Sequence, residues 1–586
     1  MTAMEIIRSP HVAFTTWATR FGLWQWMVFL TVATLVITPL VFLVLGSFST
    51  ASLPTEFSFD KMSLENYEEV WFDPSTYSVF YNTMIYVVGA TVFGILTAVT
   101  LAWLVERTDI PGKMWIYAGI PMTLAVPSML QAMAWVLLLS PRIGFLNTYL
   151  KDLFDLGPIN IYSLGGMIFI EGLRLVPTAF LMLVPLLRSM DPTLEEAAAM
   201  SGAKPSTTMR KVTARLMLPG LIAVIIYQAM TALEVFEVPG ILGLPSGIYV
   251  FSTKIYSILH SVTYLPNYGQ ANALAMVYLL IAIVGTYFYA RVISRSERFT
   301  IITGKGYRPR EFALGKWRYP ALCIAFLYLT LSMLLPFLVF LFTSFLPYLQ
   351  APSMKALNGF TWSNYMQLFE TELIGTVMKN TLILVVATST ATVICSFVVS
   401  MVIVRSKFVG RRILDQLSFI PHAIPGIVMG LAFLWAFLQI DKLGIPIHGG
   451  ITAMTIAFTV GFMAYGTRSM NAAILQIHKD LEEAAHVSGA MRWRTMWRVF
   501  FPLMMPTFVG VWIWVMLHAI RIAGKPLILY EGQENQVLAI LIWNMWDEGY
   551  IEAVAAIGTL LMGSLLIITV GLRMMGFGRG AKVQKS

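Results

Sequence analysis

The chain has 586 residues, 57% apolar and 12% charged, with a mean hydropathy of +0.73; a soluble domain carries about 25% charged residues, so a water-soluble globule is excluded. The net charge of +9 suggests nucleic acid at first sight, but the placement of the basic residues, described below, excludes a nucleic-acid partner. Only Cys323 and Cys395 occur, both in apolar runs, which excludes a disulfide framework and a thiolate metal site.

A membrane-crossing helix needs about 20 mostly apolar residues. Twelve segments qualify, near 24–46, 78–103, 114–140, 160–187, 217–239 and 271–293, then 320–346, 378–404, 413–439, 450–474, 503–525 and 552–575. The first is too long for a signal-peptide core and leads straight into further spans. The spacing predicts an all-α polytopic membrane protein of about twelve transmembrane helices. It divides into a first half, 1–290, a basic linker, 291–318, and a second half, 319–586.

With the N-terminus placed inside, the inner segments hold three quarters of the 40 Lys and Arg residues. That bias is a topology signal, and it puts both termini on the cytoplasmic side of the membrane. The outer loop 49–77 is acidic instead, with Glu56, Asp60, Glu65, Glu68, Glu69 and Asp73. The outer loops, at most about 40 residues each, are too short for an independent domain.

Six spans per half is an even number, so the halves share one orientation and are related by an axis along the membrane normal. Paired landmarks mark the repeat. Asn66-Tyr67 answers Asn364-Tyr365, and Asn82-Thr83 answers Asn380-Thr381, both at an offset of 298. Ile120-Pro121 with Pro127 answers Ile420-Pro421 with Pro425.

The clearest repeat lies between the fourth and fifth spans of each half. Residues 194–203 read LEEAAAMSGA and residues 481–490 read LEEAAHVSGA, 287 residues apart. Asp191 and Pro192 in the first copy, and Asp480 in the second, are suited to start a helix. Glu195 and Glu196, like Glu482 and Glu483, fit its early turns, where the dipole favours acids. Ala197 and Ala198, like Ala484 and Ala485, are small enough to let another surface come close. Gly202 and Gly489 can end the helix with a positive φ. A single such segment is an ordinary solvated connector; two at equivalent places form a pair of docking elements.

At these residues the chain resembles the inner-membrane permeases of binding-protein-dependent ABC importers. Their signature is Glu-Ala-Ala, three residues, Gly, nine residues, an aliphatic residue and Leu-Pro. Here it stands as Glu196-Ala197-Ala198, Gly202 and Val212, and as Glu483-Ala484-Ala485, Gly489 and Val499. The second copy keeps Pro502 after Phe501, whereas the first has Ala214-Arg215 in place of Leu-Pro. The fused form most resembles the ferric-iron-transport-type permeases. The resemblance implies a type I importer fold of two six-helix repeats, with segments 191–215 and 478–502 acting as coupling helices. It implies two copies of a cytoplasmic ATPase, which carry the ATP and Mg2+, and a periplasmic substrate-binding protein. None of the Gly-Lys pairs is followed by Ser or Thr, so no phosphate-binding P-loop is expected in this chain. It is expected to be a permease subunit and not an enzyme, with no cofactor of its own.

Ionisable residues within spans mark pathways or partners. Glu171 and Arg174 are spaced to pair with each other. Glu234 and Glu237 end the fifth span. At the offset of the docking segments Glu234 falls opposite Arg521, with His518 one turn earlier, so these four are the expected pathway residues. Glu234 and Arg521 are expected to face each other near the axis. The stretches 250–256 and 537–543 are expected as re-entrant loops at the outer mouth, or as interfacial helices. Carboxylates suit ferric iron; Arg521 and Lys525 suit an anion equally, and thiamine, phosphonate or another small solute remain open as cargo. A secondary transporter driven by an ion gradient is the reading from a different class; it leaves the duplicated segment unexplained.

Overall fold

The computed structural model describes residues 22–583 except 156, 189–196, 199, 204, 209–210, 212–213, 261–264, 297–311 and 490–491. Among the described residues the secondary structure is helical, with three isolated bridges and no strand. Eight helices are long and apolar enough to cross a membrane, and three further helix pairs are bent at a break, giving up to eleven spans. The remaining expected segment forms the 26-residue helix Ile451–Gln476. It is rich in Thr, Gly and Ala and carries Arg468, and it packs most extensively against the helix Glu372–Arg405. A span enclosed by protein needs less apolar surface than one that faces lipid.

The second span is the longest element of each half: Pro74–Arg107 and Glu372–Arg405, 34 residues each. At 1.5 Å per residue each is about 51 Å long, more than a bilayer core. Pro74 occupies the first helical position, and Asp73 caps it by accepting from the Ser75 amide at 2.8 Å. The hydrogen bonds from Ser75 hold the Asp73 carboxyl below its ordinary pKa.

The third span is broken in both halves, where the paired prolines lie. Lys113–Ala125 meets Ser128–Leu139 at 95°, and Arg411–Ala423 meets Gly426–Asp441 at 112°. Pro127 and Pro425 take extended conformations at the N-caps of the second pieces; neither can supply the amide that would continue the helix. The fifth span of the first half is also bent, by 53° between Gly220–Glu234 and Glu237–Ser246.

The first helix of each half crosses to the other half. Leu23–Phe48 packs on Gly426–Asp441, and Leu335–Ser344 packs on Ser128–Leu139. The two halves therefore share one apolar core.

The paired landmarks do the same physical work twice. The Asn66 amide donates to the Ser47 and Ser49 carbonyls at 3.1 and 2.8 Å, and Asn364 donates to Ser344 and Leu346 at 2.9 and 2.8 Å. Each satisfies carbonyls left free where the first helix of its half ends. Tyr67 and Tyr365 reach the Ser47 and Ser344 hydroxyls at 2.7 and 2.8 Å. The Thr83 hydroxyl accepts from the Phe251 amide at 3.1 Å, and Thr381 from the Leu538 amide at 2.8 Å. These bonds cap two short buried helices, Phe251–Leu259 and Leu538–Asp547. The stretches 250–256 and 537–543 are thus short helices held inside the protein, not helices lying on its surface.

Thr381→Val preserves shape and leaves the Leu538 amide buried without an acceptor, a loss of about 1–3 kcal/mol. Thr83→Val is expected to cost the same through the Phe251 amide. Thermal unfolding in detergent should show a lowered Tm for both; an unchanged Tm for Thr381→Val would mean that the cap contributes nothing.

Candidate functional site

The first coupling segment is described only in part. Glu195 and Glu196, with Asp191 and Pro192, lie outside the described residues. Ala197 and Ala198 are helical, and Gly202 follows with φ +78. In the second copy the helix Lys479–Val487 contains Glu482, Glu483, Ala484 and Ala485, and Gly489 has φ +77. The two turns match in detail. The Ser201 amide and hydroxyl bond to the Ala197 carbonyl at 3.1 and 2.8 Å, and those of Ser488 bond to Ala484 at 3.0 and 2.8 Å. Asp480 lies inside the first turn, not before it, because the helix starts at Lys479; its carboxylate pairs with His478 at 3.0 Å.

Each segment also offers an apolar side chain to solvent at the same place. Met200 is 90% exposed and Val487 89%. Large apolar side chains held out on two equivalent turns, beside small alanines, form a surface suited to a partner's cleft.

Two arginines tie this side to the long second spans. Arg107 Nη2 donates to the Leu187 carbonyl at 2.9 Å. Arg405, at the 298-residue offset, donates to the Ile474 carbonyl at 2.9 Å and to that of Ile477. Each clamps the end of the fourth span, immediately before the coupling segment. Glu106 and Arg188 add a bidentate pair, both bonds 2.8 Å, in the first half. Arg405 also lies 4.0 Å from Glu482. Sequence reasoning missed Arg107 and Arg405, although the offset that paired Asn82 with Asn380 also pairs them.

The ionisable residues within the spans have specific partners. Glu171 is fully buried and receives both Nε, at 2.8 Å, and Nη2 of Arg174, the local pairing expected. Glu237, also buried, accepts from the Ala523 amide at 3.0 Å across the interface between the halves. His518 stacks on Trp514 with ring centroids 3.8 Å apart. Its Nδ1 lies 2.8 Å from the Trp514 carbonyl; a carbonyl only accepts, so Nδ1 carries a proton. Lys525, 5% exposed, sets its ammonium over the faces of Phe458 and Phe462, 5.3 and 5.4 Å from the centroids.

Glu234 and Arg521 do not pair with each other. Arg521 donates to the Leu124 carbonyl, inside the break of the first half's third span. Glu234 lines a small cavity of about 30 Å³ with Tyr227, Tyr289, His422 and Pro425, against the break of the second half's third span. The two positions are equivalent, as the offset implies. What meets at each is the end of one half's fifth span and the proline break of the other half. His422, whose ring stacks on Tyr227 at 6.3 Å, therefore joins the candidate site. Its signal was its place beside Pro421 in a repeated landmark.

Aromatic rings close the interface beside these charges. Phe236 and Tyr256 of the first half pack on Trp543 of the second at 5.2 and 5.7 Å.

A helical chain of two repeated halves, with a docking turn on each and charged groups at their interface, has the form of a membrane transport component. The chain belongs to the family of binding-protein-dependent transport system inner membrane components, whose model matches residues 90–298 and 393–577. It has the two-repeat type I ABC importer permease fold. One relative is the ferric transport system permease protein FbpB of Actinobacillus pleuropneumoniae, 23% identical over 488 residues, 82% of this chain and 67% of the relative. Another is a probable sulfate transport system permease protein cysT of Chlorokybus atmophyticus, 27% identical over 184 residues, 30% of this chain and 64% of the relative. Among solved structures, a bacterial ABC transporter involved in the import of alginate gives a TM-score of 0.36 at 14% identity, covering 43% of this chain and 93% of that one.

Two outcomes follow from this geometry. The Gly489 Cβ position meets no atom within 4 Å, so Gly489→Val strains the turn through its positive φ without a clash. Insertion and Tm should hold while co-purification with an ATPase subunit falls; unchanged co-purification would remove the docking role. Because Glu234 and Arg521 face different breaks, a double-mutant cycle of Glu234→Gln and Arg521→Gln should be additive within about 0.5 kcal/mol in stability. A larger coupling would show that they meet.

Proposed function

We propose that this chain lines the translocation pathway of an ATP-driven importer whose cargo is ferric iron. Soluble binding protein delivers the cargo to the outer mouth, and two copies of an ATPase carrying ATP and Mg2+ seat on the turns at Gly202 and Gly489. The chain is then the permease subunit and leaves hydrolysis to its partners. Both termini lie on the cytoplasmic side of the inner membrane, as the distribution of Lys and Arg favours.

The observation that carries the iron reading is coverage. The relative named for ferric transport matches both halves of this chain, whereas the one named for sulfate matches less than a third of it. The carboxylates of Glu234 and Glu237 at the interface supply hard oxygen donors of the kind ferric iron prefers. A pathway must hold its cargo weakly enough to release it, and carboxylates borrowed one at a time along a route satisfy that better than a closed cage. An oxyanion is the second reading, favoured by Arg521 and the buried ammonium of Lys525.

Proteoliposomes holding the chain with its ATPase and binding protein decide between these. Expected is uptake of radiolabelled ferric iron that needs ATP and falls at least tenfold in Glu234→Gln. Uptake of radiolabelled sulfate without iron would establish the second reading. Uptake driven by a proton gradient without ATP would overturn the importer reading altogether.

A further inference from the structure

The loops that end the two long second spans are built on one plan and differ in charge. Aligned at the 298-residue offset, Arg107-Thr108-Asp109-Ile110-Pro111-Gly112-Lys113-Met114 answers Arg405-Ser406-Lys407-Phe408-Val409-Gly410-Arg411-Arg412. The first loop is met by residues 314–318, where the span Gly315–Ser344 begins, and the second by the start of the helix Leu23–Phe48. In the first loop the contact is ionic. Asp109 accepts from the Leu314 amide at 2.8 Å and from Arg318 Nε at 3.0 Å. In the second it is aromatic: Trp26 and Phe29 pack on Phe408, ring centroids 5.1 and 5.8 Å away.

The second loop has no carboxylate. Lys407 stands where Asp109 stands, and Arg412 stands where Met114 stands. The nearest acid in sequence, Asp415, is engaged by Arg468 at 3.2 Å. Among the described residues none of Lys407, Arg411 and Arg412 forms an ion pair; Arg411 Nη1 bonds only the Ser406 carbonyl, at 3.1 Å. These three cations, with Phe408 and Val409, line an open cavity of about 330 Å³. The helix Arg411–Phe419 begins at its edge, with Gly410 at the N-cap and no side-chain cap. Its first amides add positive potential to the same place.

The position of the cavity identifies the anion. It lies where the span Glu372–Arg405 ends, on the side of the coupling segments, since Arg405 also reaches Glu482. Exposed Trp24 and Trp26 mark the start of the neighbouring first helix, as interfacial tryptophans do. Val409 and Ile413 are exposed apolar side chains beside the cations. A cluster of cations at a span end, with apolar surface running back toward the bilayer, matches a charged headgroup joined to an acyl chain.

We propose that this cavity binds the phosphate headgroup of an anionic phospholipid from the leaflet on the coupling side. The lipid phosphate there takes the place that the Asp109 carboxylate fills in the first half. The site stands whatever the cargo of the importer.

Native mass spectrometry of the full chain, purified from membranes containing phosphatidylglycerol and phosphatidylethanolamine, tests this. The wild type should retain phosphatidylglycerol in preference. Lys407→Ala and Arg412→Gln should each weaken retention about fivefold, as expected for one headgroup-facing cation. Lys442→Ala, a cation at the far end of the helix Gly426–Asp441, should not. Lys407→Asp restores an internal acid; it should abolish retention and leave Tm in zwitterionic nanodiscs at or above that of the wild type. Equal retention by folded wild type and variants would overturn the proposal. So would displacement of the lipid by millimolar inorganic phosphate, which marks a site for free anions. Loss of ATPase co-purification with lipid retention unchanged would assign the cluster to a protein partner instead, and would also overturn it.

Discussion

A helix broken inside a bilayer leaves amides and carbonyls that water cannot reach, each costing several kcal/mol unless another group bonds it. The fold is organised around meeting that requirement. The break after Glu234 frees the Leu233 and Val235 carbonyls; Tyr278 donates to the first and Ser252 to the second, at 3.1 Å. At the break of the third span Thr123 donates to the Ile120 carbonyl at 2.7 Å, and Arg521 takes that of Leu124. One of these donors, Arg521, comes from the other half of the chain. The break of the first half's third span is therefore fully satisfied only once the halves have packed together, and the candidate site residues Glu234 and Arg521 sit beside such breaks.

The two halves share a plan but not a charge distribution. Arg521 occupies the position equivalent to Glu234, and each turns toward the opposite half's proline break. Glu237 reaches the Ala523 amide, while Gly524 stands at its equivalent position and has no side chain to return the bond. Lys525 rests on two phenyl faces with no counterpart across the axis. An exact two-fold would place identical charges at equivalent positions. A single chain that contributes both halves is free of that constraint, and its interface can hold carboxylates on one side and cations on the other.

Much of this was legible in the sequence because the repeat is written twice. Helical spans follow from apolar runs, and the breaks of the third span follow from Pro121, Pro127, Pro421 and Pro425. Gly202 and Gly489 were readable because an αL turn after a helix favours glycine. The partnership of Glu234 and Arg521 was misread. An offset finds equivalent positions, but it does not say whether they face the axis or each other's halves; here the crossing of first helices and broken third spans decides. Arg107, Arg405 and His422 were missed for a different reason. Each lies at a span end or break, where a basic residue looks like an ordinary topology signal until its carbonyl or ring partner is seen.

The long second span carries two of the contacts described above, and their spacing along it is the same in both halves. Thr83 and Arg107 are 24 residues apart, as are Thr381 and Arg405. At 1.5 Å per residue each pair is separated by about 36 Å of uninterrupted helix. One end of this strut clamps the entrance to a coupling segment; the other caps a short helix at the opposite face. Struts of equal length anchored at both ends give the two halves the same rigid link between their opposite faces, so the spacing from clamp to cap is one shared dimension of the fold.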